Sequence, residues 1–190
     1  MIAILHEGNA QKTADNKLIK LLIKDLNLDE KKVRFFGLGT KSNFFKKDSN
    51  AYRELITDMK EEIILKVLFI VDADYEENDE IYGGFDNTLK KMIEIRKVLN
   101  IYELSDLYIT CDFDTKSGYL ESLILSSIPI KQKECIETFL ECSEFKSKEN
   151  DKAILNQIYN NAYPNAPYDF SSDKFDILKQ KLQKLFKEEN

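Results

Sequence analysis

Short apolar runs alternate with stretches of helical period along this chain, and that order predicts a parallel α/β sheet. Residues 2–6, IAILH, read as a first strand; 13–26 read as a helix with Leu18, Leu21, Leu22 and Ile23 on its apolar face and Thr13 as its N-cap. A second strand is expected at 32–36, a helix at about 49–64, a third strand at 66–71, a helix at 86–99 and a fourth strand at 105–111. Further helices are expected at about 117–126, 130–142 and 150–161, then a turn-rich piece, AYPNAPYDFSSD, and a last helix at 174–188. The expected fold is one α/β domain: a mainly parallel central sheet flanked by helices, of Rossmann-like kind, over 1–125, with a helical C-terminal extension over 126–190. The polar run EFKSKEND, 144–151, is the best candidate for a flexible join.

The chain has six glycines, and each lies beyond the carboxyl end of a predicted strand: Gly8, Gly37 with Gly39, Gly83 with Gly84, and Gly118. In open α/β sheets that edge is where ligands bind, because loops from several strands converge there. The richest chemistry on the same edge closes the third strand, KVLFIVDAD, in Asp72 and Asp74. In an extended strand the two would share a face, roughly 6.5–7 Å apart. Two carboxylates that close favour a hard cation such as Mg²⁺; the alternative is a strand that simply ends in a turn, where Asp is common. A carboxylate at the end of the first strand, Glu7, facing that pair would be desolvated and lifted toward neutrality, which suits a proton carrier.

Composition narrows the field. The length of 190 residues suits a single core. Three cysteines, Cys111, Cys135 and Cys142, form no Cys-x-x-Cys pair, so neither a disulfide framework nor a zinc knuckle is indicated. No apolar run approaches 18 residues, and a cytoplasmic protein without membrane partners is expected. The net charge of −6 argues against coating duplex DNA through a broad basic surface but leaves room for a small metal-centred phosphate site.

Taken together, His6-Glu7-Gly8, Asp72-Ala73-Asp74, Cys111-Asp112-Phe113-Asp114 and Gly118-Tyr119-Leu120-Glu121 resemble the Toprim domain, the metal-binding module of topoisomerases, bacterial primases, ribosomal-RNA maturases and the overcoming-lysogenization-defect nucleases. The resemblance is nearest to small stand-alone Toprim-related proteins, in which a later Lys-Ala, here Lys152-Ala153, is also familiar. It implies that Glu7 is a metal ligand or general acid–base, that Asp72 and Asp74 hold Mg²⁺ or Mn²⁺, and that Glu121 completes the site. Gly8, Gly118, Lys41 and Lys152 are the substrate-contacting candidates, Lys152 on resemblance alone. One departure stands out: nuclease-type relatives often carry a second acid four residues after the glutamate, where this chain has Gln11. Asp15 either takes that role or is an ordinary first-turn helix acid.

Other motifs compete with these. Asp112-Phe113-Asp114-Thr115 matches the nucleophile motif of haloacid-dehalogenase-type phosphatases, but there the motif closes the first strand of the core. Asp112 and Asp114 remain additional candidate acids. Lys41, Phe44, Phe45, Lys46 and Lys47 interleave cations with aromatics, a pattern that can stack a base and neutralise phosphate or can be a buried Phe pair among solvated lysines. The expected function is Mg²⁺-dependent phosphodiester hydrolysis on nucleic acid. The alternatives are a non-catalytic module that holds a metal with a nucleotide, a nucleic-acid end or a protein partner, and a small-molecule phosphohydrolase.

Overall fold

A computed structural model describes residues 1–9, 13–143, 153–158 and 169–187. Its centre is a four-stranded, all-parallel sheet in the order β2-β1-β3-β4, built from β1 (Ile2–His6), β2 (Val33–Gly37), β3 (Lys66–Asp72) and β4 (Ser105–Thr110). Helices α1 (Ala14–Asp25), α2 (Lys41–Phe44), α3 (Asn50–Lys60), α4 (Phe85–Val98), α5 (Leu120–Ser127) and α6 (Ile130–Cys142) follow in sequence. Next come α7, the helical residues 153–158, and α8 (Asp176–Phe186). The helix expected at 150–161 therefore lies partly outside the described residues, as do Gln11 and Lys152. No helix among the described residues is long and apolar enough to cross a membrane.

The two-residue period of the strands sorts the core into two layers. Ile2, Ile4, Leu68, Ile70 and Tyr108 face α1, α5 and α8. Ala3, Leu5, Val67, Phe69, Val71, Leu107 and Ile109 face α3 and α4 through Tyr52, Leu55, Met92 and Ile95. The central strand β1 is buried along its whole length, which is why it reads as a continuous apolar run. Leu140, Leu155, Phe175, Leu178, Leu182 and Leu185 join the first layer, so the C-terminal helices share the core of the first 125 residues. Each fully buried leucine among them contributes about 1.5–3 kcal/mol.

The strand order places the site. From β1 the chain runs outward to β2 on one side, and β3 and β4 fill the other. The loops after β1 and β3 thus part between adjacent strands, the crevice that open α/β sheets use for ligands. Two departures from the expected elements occur at this edge. Lys41–Phe44 forms one helical turn where a loop is expected, because Phe44 drops fully into the core and Tyr52 Oη donates to its carbonyl at 2.7 Å. Helix α5 starts at Leu120 rather than 117, because Ser117 and Gly118 are held in bridges to Asp112 and Asp74.

Candidate functional site

Two glycines bring the first three strand ends together. Gly8 and Gly39 exchange backbone hydrogen bonds of 2.6 and 2.9 Å, folding the loop after β2 across the end of β1. Both have positive φ, 76° and 83°. At Gly8 a Cβ would also land on the Thr13 methyl, and Thr13 is the N-cap whose hydroxyl accepts from Asn16 N–H. The crossing carries α2, and with it Lys41, to the end of β3.

Glu7 lies directly beyond β1, and its Oε1 accepts from Asp72 N–H at 3.1 Å. Burial pushes the Glu7 carboxyl up to about 7, with the negative charges of Asp74 and Asp15 adding to the rise and the Asp72 N–H and the Lys41 ammonium opposing it. His6 orients this residue: its Nδ1 sits 2.7 Å from the Glu7 carbonyl oxygen, and its ring is wholly buried, which holds its pKa below the usual histidine range. Asp15 stands in the first turn of α1, where an acid complements the helix dipole, yet its charge reaches Glu7.

Asp72 closes β3 and is buried. Asp72 and Asp74 do not share a strand face as an extended run would place them. The strand stops at Asp72, and Asp74 turns to φ 57°, a left-handed conformation that Asp tolerates better than most residues. Gly118 fixes that turn, accepting from Asp74 N–H at 2.6 Å and donating to the Asp74 carbonyl at 3.0 Å. This exchange draws the start of α5 against the acids.

Of the two readings of the Lys41–Lys47 segment, the buried Phe pair among solvated lysines fits Phe44, Phe45, Lys46 and Lys47, and Lys41 departs from it. It is only 8% exposed. Its Nζ donates to the Ala73 carbonyl at 2.5 Å and pairs with Asp74 Oδ2 at 3.4 Å. Burial pulls its pKa below the usual lysine range, against the carboxylates of Asp74, Glu7 and Asp72. Phe44 belongs to the core and Phe45 stacks on Tyr82, ring centroids 4.6 Å apart, while Lys46 bonds Asn43. The Phe44 ring is closed to a base, and one face of the half-buried Phe45 ring is taken by Tyr82.

The remaining acidic candidates are engaged by partners on other elements rather than by Glu7 or Lys41. Glu121 is buried in the first turn of α5 and accepts from Asn156 Nδ2 on α7 at 2.6 Å, a partner that sequence spacing gave no means to find. Asp112 is also buried, with Oδ1 accepting from Asp114 N–H at 2.9 Å and Oδ2 lying 3.5 Å from Lys133 Nζ. Asp114 is exposed and paired with Lys174 at 2.9 Å. Just beyond β4, burial and the charges of Asp112 and Asp72 push the Cys111 thiol up to about 12, which disfavours its thiolate.

The donor set of Glu7, Asp72 and Asp74 is all oxygen and comes from adjacent strand ends, chemistry that suits Mg²⁺ or Mn²⁺. Its spacing does not close round an ion: among the described residues no three His, Cys, Asp or Glu side chains are gathered tightly enough to hold one. Among the described residues, the cation that acts on Glu7 and Asp74 is the Lys41 ammonium. A cavity of about 1060 Å³ opens elsewhere, at the amino-terminal edge between Met1, Leu65, Leu104 and Phe186, the opposite end of the strands from the acids. No protein-family model, curated protein or solved structure matches the chain.

Proposed function

We propose that the chain is a metal-dependent phosphodiesterase acting on nucleic acid, through a site of Toprim type at the carboxyl edge of its sheet. The observation that carries this reading is the Glu7 carboxyl: buried, bonded to Asp72 N–H and raised to about 7 beside a second carboxylate. Such a group takes up and returns a proton near neutral pH, which is what an attacking water requires of a general base. Asp72 and Asp74 would hold Mg²⁺ or Mn²⁺, with Glu121 completing the set; bound there, the metal polarises the phosphate and lowers the pKa of water. Asp72 N–H keeps the Glu7 carboxylate oriented, and Gly118 holds Asp74 in place. Free thiols at Cys111, Cys135 and Cys142 suit a reducing compartment, and we place the activity in the cytoplasm.

One observation favours a second reading, a non-catalytic module that holds a nucleotide or nucleic-acid end. Asp74 is engaged by Lys41 rather than arranged with Glu7 and Asp72 round an ion. The experiment that separates the readings is cleavage of labelled single- and double-stranded DNA and RNA in Mg²⁺ and in Mn²⁺, run beside a binding assay. Cleavage abolished by Glu7→Gln with binding retained supports the enzyme, because the amide keeps shape but carries no proton. Binding without cleavage, indifferent to Glu7→Gln, selects the module. Neither binding nor cleavage overturns both and leaves a small-molecule phosphohydrolase.

A further inference from the structure

We propose that copies of this chain assemble head to tail: the acidic loop 76–82 at the carboxyl edge of one sheet, which carries Ile81, docks into the apolar cavity at the amino-terminal edge of the next. The cavity of about 1060 Å³ is a groove rather than a closed pocket, since Leu65 and Leu104 on its wall stay 57% and 53% exposed. These residues stand just before β3 and β4, beside Met1 before β1 and Phe186 on α8. An exposed apolar patch rimmed by polar groups marks a docking surface.

Charge decides what the groove takes. Lys31, Lys32, Lys66, Lys184 and Lys187 ring it, against Glu103 and Asp106. Asp106 is already paired with Lys181 at 2.6 Å, and the Met1 ammonium, which donates to the Ile63 carbonyl at 2.6 Å, adds another positive charge. In a chain of net charge −6 the rim of this groove is cationic, so the guest that fits it is an apolar side chain set among carboxylates. Loop 76–82 has that chemistry: Glu76, Glu77, Asp79 and Glu80 are exposed, and Ile81 beside them is 65% exposed. It is also built to hold Ile81 outward. Asp79 Oδ1 accepts from Ile81 N–H at 3.0 Å and from Tyr82 N–H at 3.1 Å, and Tyr82 stacks on Phe45. Docking therefore costs the loop little ordering. Groove and loop lie at opposite ends of the strands, so the contact between copies is heterologous and repeats, giving a ring or an open filament.

The test is sedimentation velocity on the full chain from about 10 µM to about 1 mM, the range of weak protein contacts, at about 50 mM and about 500 mM salt. At the lower salt the mean mass of wild type should rise with concentration past that of a dimer, and the higher salt should weaken association at least about tenfold. Ile81→Ser and the double variant Leu65→Ser with Leu104→Ser, all at exposed positions, should each weaken it at least about tenfold. Each of the two keeps one half of the contact, so their equimolar mixture should form a one-to-one pair that grows no further. Glu77→Lys with Glu80→Lys should weaken association by as much. Glu188→Gln with Glu189→Gln, which removes the acids that follow Lys187 in sequence, should not weaken it. Circular dichroism checks the fold of every variant; should the serine pair fail to fold, Lys31→Glu with Lys184→Glu takes its place. Wild type that stays monomeric at about 1 mM, or that stops at a dimer, overturns the assembly. Association that survives the apolar variants, or a mixture no larger than its components, overturns the surfaces assigned to it.

Discussion

Replacing Glu7 by Gln tests the proton carrier without any substrate. An ordinary glutamate has a pKa of 4.5, and in the fold Glu7 is raised to about 7. The folded protein thus keeps this proton over a range in which the unfolded chain has lost it, and stability falls as pH rises from about 4.5 to about 7. At about 1.4 kcal/mol per pKa unit the whole effect is about 3 kcal/mol. Glu7→Gln removes the ionisation, while the amide oxygen still accepts from Asp72 N–H. The variant should therefore gain about 3 kcal/mol relative to wild type between pH 4.5 and pH 8, the difference flattening above pH 8. The assay is urea unfolding at half-unit pH steps in chelator-treated buffer, the two proteins compared at each pH so that every other carboxylate cancels. Parallel stability curves would refute the argument, because Glu7 would then titrate as an exposed acid and could not hold a proton near neutrality.

Mn²⁺ at a hundredfold excess over its Kd should stabilise the wild type by about 2.7 kcal/mol, read as a rise in Tm of several degrees; Asp72→Asn and Asp74→Asn should each abolish that rise. Without metal, Asp72→Asn should leave Tm nearly unchanged. Asp74→Asn should cost about 1–2 kcal/mol, because it strips the buried Lys41 of its carboxylate, an effect discounted for the partial exposure of Asp74. Leu182→Ala, a fully buried position on α8, should cost about 2–5 kcal/mol in chemical denaturation and leave the Mn²⁺ response intact; a lost response would mean that α8 shapes the acid site as well as the core.

The strands were legible within a residue or two, since a buried parallel strand must be a nearly unbroken apolar run. The order of strands and helices then forced the parallel arrangement. The meeting of Glu7 with Asp72 needs more than that order, which leaves open which strands are neighbours; it comes from the direct pairing of β1 with β3, whose ends carry the acids to one edge. What could not be read was conformation at single residues. Nothing in Asp-Ala-Asp announces that Asp74 leaves the extended region, so strand alternation carried the pair one residue too far. The four residues of α2 are too few to show a helical period, and only the three-dimensional crossing of Gly8 with Gly39 reveals that Lys41 is buried. Pairings such as Asn156 with Glu121 or Lys133 with Asp112 join elements whose spacing is set by helix packing, which no local pattern encodes.

The placement of α8 bears on how the chain is made. This helix packs against β3 and β4, where Lys66 Nζ donates to the Lys187 carbonyl and Lys181 pairs with Asp106 at 2.6 Å. During synthesis β3 emerges about a hundred residues ahead of it. The sheet can pair as soon as β4 follows, while the apolar face bearing Leu68, Ile70 and Tyr108 lacks the cover of α8 until residues 176–186 have left the ribosome. For that interval the part of this face that Leu178, Leu182 and Leu185 will cover stays open beside α1 and α5, and a chain cut short before residue 176 would keep it so.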